Sequence, residues 1–94
     1  MHIAACVITF QLFGVDSLKA KRRLIKSLLS RLPNHFNVAV AEVDCHDVWQ
    51  TSVIALVTVG VDNRKLHSKL ENMVRWIESS RPDLVIESYT IEFR

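Results

Sequence analysis

The 94-residue sequence has only two cysteines, two glycines, two prolines and one tyrosine. Each scarcity excludes something. Cys6 and Cys45 are too few for a disulfide framework and form no CxxC pair, so a reducing compartment fits and the chain is expected to be cytoplasmic. Scarce glycine and proline exclude fibrous and low-complexity chains, and 49% hydrophobic against 23% charged residues excludes disorder. No apolar run approaches the roughly 20 residues of a membrane-spanning helix, so no membrane partner is expected. The start Met1-His2-Ile3-Ala4-Ala5-Cys6 soon meets Thr9 and Gln11 and does not read as a secretory signal. Residues 1–94 leave no room for two cores, and a single domain is expected.

What is present is a strong apolar pattern. Residues 2–13 (HIAACVITFQLF) read as a strand ending at Gly14 and Asp16, which supply turn chemistry. Asp16 or Ser17 can cap a helix whose apolar residues, Leu18, Leu24, Ile25, Leu28, Leu29 and Leu32, recur at helical spacing. Pro33 should end it. Residues 36–44 (FNVAVAEVD) alternate as a second strand, 45–50 are a polar interruption, and the β-branched run 51–61 is a third strand. Asp62-Asn63 then caps a second helix with the stripe Leu66, Leu70, Met73, Val74 and Ile77, closed by Ser79, Ser80 and Pro82. Residues 84–93 form a fourth strand.

The order βαββαβ predicts an α+β, ferredoxin-like sandwich, a four-stranded antiparallel sheet with two helices on one face. In that arrangement the first and third strands are central. Both are apolar on both faces, whereas a sheet with one solvated face should alternate apolar with polar. The face away from the helices is therefore expected to be covered, most simply by self-association into a homodimer.

The formal net charge of +2 is unevenly distributed. From Ser17 to Ala41 there are six basic residues and no acidic one, so the total resolves into about +6 on this segment and −4 on the rest. On a helical wheel with Leu18 at zero, Lys19, Arg22, Arg23 and Lys26 fall between about 40° and 140°, beside the apolar arc. Like charges at i,i+3 and i,i+4 repel, and early cations oppose the helix dipole. This local cost suggests an anionic partner for Lys19, Lys21, Arg22, Arg23 and Lys26, with phosphate or RNA the chemistry that fits. The competing reading is a solvated face whose cations pair with Glu42, Asp44 or Asp47 after folding. Base stacking on the sheet is not expected, because TSVIALVTVGV has no aromatic residue, unlike the third strand of an RNA-recognition motif.

Glu42, Asp44, His46 and Asp47 form a second candidate site, since in an extended chain the first three share a side. No pair has zinc-finger spacing, and no metal or other cofactor is expected. Trp49 is expected to pack over the core edge. No nucleophile with a base partner can be argued, and no catalytic residue is assigned. The first strand-to-helix loop lacks the glycine-rich phosphate cradle of acylphosphatases, and Asp16 would repel phosphate there.

Three stretches are similar to the YlxP-like family, small bacterial proteins of unknown function: Ser17-Leu18-Lys19-Ala20-Lys21-Arg22-Arg23, Phe36 to Asp44 (FNVAVAEVD), and Asp47-Val48-Trp49-Gln50. The resemblance spans essentially the full length. Ala20 stands where a glutamate is common in that family, which leaves this helix start more basic. The resemblance implies a ferredoxin-like fold and a bacterial cytoplasmic protein whose relatives are often encoded beside translation and ribosome-maturation factors. A noncatalytic RNA- or ribosome-associated protein is the resulting expectation. A small-anion or metabolite-binding regulatory homodimer is the alternative.

Overall fold

In the computed structural model, which describes residues 1–94, the elements run β1 (His2–Leu12), α1 (Leu18–Phe36), β2 (Ala39–Asp44), β3 (Thr51–Gly60), α2 (Asn63–Ser80) and β4 (Leu84–Phe93). The strands pair antiparallel in the order β2-β3-β1-β4, so β1 and β3 are central, as the ferredoxin-like reading requires. The even-numbered residues Ala4, Cys6, Ile8 and Phe10 of β1 are fully buried, as are Ile54 and Leu56 of β3. Across from them lie Leu24, Ile25, Leu28 and Leu32 of α1 and Leu66, Leu70, Met73, Val74 and Ile77 of α2. Burying each of the larger of these side chains stabilises the fold by roughly 1.5–3 kcal/mol, and the two-residue and 3.6-residue periods deliver them to one layer.

Local chemistry places the helix ends. Ser17 is the N-cap of α1, its Oγ accepting the Ala20 N–H at 3.0 Å, and Gly14 turns the chain out of β1 at φ 73°. Asp62 caps α2 by accepting from the N–H groups of Arg64 and Lys65.

One helix end differs from expectation. Rather than stopping before Pro33, α1 runs on to Phe36. A proline in the last turn removes a single hydrogen bond, whereas the continued helix keeps Leu32 fully buried and sets Phe36 edge-on to Trp76 at 5.6 Å. The helix closes at Asn37, left-handed at φ 51°, whose N–H donates to the Pro33 carbonyl at 3.1 Å. Phe36, Asn37 and Val38 are thus lost to the second strand, which begins at Ala39.

Candidate nucleic-acid interface

The five cations expected to face a phosphate do not form one surface. Lys21 is 1% exposed. Its Nζ donates to the Thr51 carbonyl at 2.8 Å, to the Cys45 carbonyl, and more weakly to that of His46 at 3.4 Å, and it lies 3.3 Å from Glu42 Oε2. That same carboxylate oxygen accepts the Ser52 hydroxyl at 2.5 Å. Lys21 is therefore corrected from anion ligand to structural anchor. It ties α1 to the β2–β3 turn, and every buried polar side-chain atom has a partner. Its wheel angle carried the signal: at about 300° it sits inside the apolar arc, between Leu28 and Leu32.

The other four point outward. Lys19, Arg22, Arg23 and Lys26 are exposed, and only Arg22 has a carboxylate within 4.0 Å, Asp47 at 3.6 Å. With both partners largely exposed, that pair contributes little, about 0–1 kcal/mol. The pairing reading thus holds for Lys21 and Arg22 and fails for Lys19, Arg23 and Lys26.

The acidic segment does not assemble as expected. A bulge between Glu42 and Asp44 breaks the alternation that would have put Glu42, Asp44 and His46 on one side. Glu42 turns inward to Lys21. Asp44 accepts the Cys45 N–H at 2.7 Å, and Cys45 is left-handed at φ 61°. The His46 ring nitrogen lies 3.0 Å from the Glu42 carbonyl oxygen. No three His, Cys, Asp or Glu side chains converge as metal ligands do. Trp49 is 44% exposed on the turn instead of packing over the core edge. It therefore offers an aromatic surface on the same turn that Arg22 reaches through Asp47.

A second cationic region escaped the sequence reading. Arg64, Lys65 and Lys69 of α2 surround a depression with Phe36, Ser68 and Asn72. Burial lowers the Lys69 pKa, and its Nζ donates to Thr58 Oγ1 at 2.8 Å and to the Asn37 carbonyl at 3.2 Å. Summed with the acidic residues downstream of Ala41, these cations cancel. Their spacing beside the Leu66, Leu70 and Met73 stripe was the available signal.

At the other end of the helix layer, Arg23, Ser27 and Arg81 line a cleft of about 400 Å³ beside the Phe13–Val15 loop. Arg81 is engaged by Asp83 at 3.1–3.2 Å, and that hydrogen bonding holds the Asp83 carboxyl below the usual aspartate range. Cys6 is fully buried, and burial, reinforced by the Glu71 charge, pushes its thiol up to about 11, so it is inert as a nucleophile.

The three stretches that carried the family resemblance meet at one corner. Lys21 joins the first to the second through Glu42, and Arg22 joins the first to the third through Asp47. Comparison with known proteins agrees with that resemblance. The profile of a family described as "Protein of unknown function (DUF503)" matches residues 3–91. The chain is 30% identical over 74 residues to the "Uncharacterized protein YlxP" of Bacillus subtilis (strain 168), covering 79% of this chain and 76% of that protein.

Proposed function

The chain belongs to the DUF503 family of proteins of unknown function, and we propose that it is a noncatalytic RNA-binding protein that holds phosphates on the outward side of α1. One observation carries the reading: Lys19, Arg23 and Lys26 are exposed within two helical turns and have no carboxylate partner. Uncompensated like charges so close raise the energy of the free protein, and a phosphate backbone relieves it while releasing counterions. Arg22 joins them by exchanging Asp47 for phosphate, at small cost because that pair is exposed. Trp49 supports the reading by adding an aromatic surface to a turn fixed against the same helix. No sequence readout is implied, since phosphate contacts position a nucleic acid without reading it.

The test is fluorescence anisotropy with a labelled RNA over a salt series. Four phosphate contacts give a slope of log affinity against log salt of about −3 to −4. The double variant Arg22→Glu and Arg23→Glu should abolish binding. Affinity indifferent to both salt and charge reversal overturns the proposal.

The small-anion alternative has its own observation, the cleft shared by Arg23 and Arg81. Thermal stabilisation by inorganic phosphate or a nucleotide, with none by RNA, would favour it. Arg81→Ala should then remove the stabilisation.

A further inference from the structure

Cations and carboxylates are segregated around α2. On a helical wheel with Arg64 at zero, Arg64, Ser68, Asn72, Lys65 and Lys69 fall between about 0° and 140°, and the buried stripe from Leu66 to Ile77 between about 180° and 280°. The carboxylates of the helix, Glu71 and Glu78, lie on the other flank, at about 320–340°. Glu71 is engaged there, accepting the Tyr89 hydroxyl at 2.9 Å and lying 3.7 Å from His67 Nε2. One turn on from the cations, where a carboxylate would pair with them, stand Ser68 and Asn72, and Lys65 meets Lys69 at the repulsive i,i+4 spacing.

This face of α2 and Phe36, from the end of α1, line a depression of about 430 Å³, a volume within the range of small-ligand sites. No carboxylate lines it. Asp62, the acid nearest in sequence, is turned to the main chain, where its Oδ1 accepts from the N–H groups of Arg64 and Lys65 at 2.9 and 3.4 Å. The depression is instead surrounded by donors. Asn72 Oδ1 accepts from Arg75 Nη2 at 2.6 Å, which leaves the Asn72 amide N–H groups for a ligand. Lys69 Nζ is aimed by two neutral oxygens, Thr58 Oγ1 at 2.8 Å and the Asn37 carbonyl at 3.2 Å, and keeps a third N–H. Burial alone lowers the pKa of that amine, as expected of an ammonium with no anion beside it. Phe36, held edge-on to Trp76 at 5.6 Å, supplies the one apolar wall.

Charge selects the occupant. Arg64, Lys65 and Lys69 converge on one concavity, so a single phosphodiester of RNA, with one negative charge, leaves most of theirs unmatched. A phosphate monoester carries about two negative charges at neutral pH, and a pyrophosphate more. We propose that the depression between α2 and Phe36 binds the multiply charged phosphate end of a small molecule, with Arg64, Lys65 and Lys69 on its oxygens and Ser68 and Asn72 donating between them. Phe36 lies roughly 15 Å along α1 from Lys26, so this site is separate from the cations of α1.

Isothermal titration calorimetry of the full chain with pyrophosphate at low salt tests this. Saturable binding below about 1 mM is expected, with the monoanion dimethyl phosphate at least about tenfold weaker. Lys65 is exposed with no carboxylate within 4.0 Å, so Lys65→Gln should weaken pyrophosphate binding by roughly tenfold while leaving the melting temperature unchanged. Adding Arg64→Gln should abolish it. Arg22→Glu with Arg23→Glu, or Arg81→Ala, should leave pyrophosphate affinity nearly unchanged, which separates this site from the α1 surface and from the cleft of Arg23 and Arg81. Absence of binding, equal affinity for dimethyl phosphate, or binding that survives the Arg64 and Lys65 substitutions overturns the proposal. Loss of binding in the Arg22 and Arg23 variant or in Arg81→Ala overturns it equally, by moving the anion to α1. So does displacement of pyrophosphate, in that Arg22 and Arg23 variant, by an RNA lacking terminal phosphates, which would make the depression a nucleic-acid surface.

Discussion

The inward and outward sides of the first two turns of α1 carry the same kind of residue in opposite conditions. Lys21 is 1% exposed and hydrogen-bonded to three backbone carbonyls, whereas its neighbour Arg22 is 67% exposed and reaches a single carboxylate at 3.6 Å. Both grip the turn between β2 and β3. The inner grip is on main-chain oxygens and a part-buried glutamate, so releasing it strands polar groups away from water. The outer grip is on an exposed aspartate that water or another anion can replace. A run of like charges is therefore two things at once: one residue that builds the corner and a surface the corner displays.

The largest effect expected from breaking this contrast is at Lys21. Lys21→Ala leaves the Glu42 carboxylate without its counter-charge and takes a donor from the Thr51 and Cys45 carbonyls beneath α1, and it should lower unfolding stability by about 3–5 kcal/mol in urea titration. Lys21→Met, which refills the space without the charge, should recover only the packing share of that loss. On the outer side, Lys26→Ala should change stability by less than about 0.5 kcal/mol and, on the proposed function, lower RNA affinity. Equal losses at Lys21 and Lys26 would erase the distinction between the two sides.

The same contrast explains what could be read from the chain. Period and punctuation placed all six elements, because Leu66, Leu70, Met73, Val74 and Ile77, or the β-branched run from Thr51, admit only one secondary structure, and tertiary packing agreed. Pro33 was misjudged because a proline's local penalty in a final turn is smaller than the burial of Leu32 and Phe36, a contact with residues 40 positions away. At the candidate site, residue type carried the outward cations but not the inward one. A lysine in an apolar arc is legible as an anomaly, yet its partners, the Thr51 and Cys45 carbonyls, are main-chain groups exposed by a bulge and a left-handed residue that no residue type announces. The α2 cations were hidden by summation over a segment whose acids lie elsewhere in space.

A smaller effect is expected at Ser52, whose hydroxyl donates to Glu42 and so belongs to the inner grip without carrying charge. Ser52→Ala keeps the ion pair and removes one donor, and it should cost about 1–2 kcal/mol, measured as a shift of the urea midpoint at unchanged m-value. A loss as large as that of Lys21→Ala would mean that the hydroxyl, rather than the ammonium, holds the carboxylate in place.

A pH-dependent effect belongs to a pair of intermediate exposure. Arg81 and Asp83 are about one-third exposed and bidentate at 3.1–3.2 Å, and the guanidinium holds the Asp83 carboxyl below the aspartate value of the unfolded chain, about 4. A depressed carboxylate pKa means that the unfolded state binds the proton more tightly. The pair's contribution is therefore fully present above the unfolded value and is lost as the pH falls through the folded one. Asp83→Asn should be less stable than the unsubstituted chain at neutral pH, by a margin that solvent screening keeps below that of Lys21→Ala. The gap should narrow as titration proceeds below about pH 4, where the native carboxylate also becomes protonated. A gap that widened with acid would mean that Asp83 is held in its protonated form, and Arg81 would then be free to serve the neighbouring cleft instead of being occupied by its own loop.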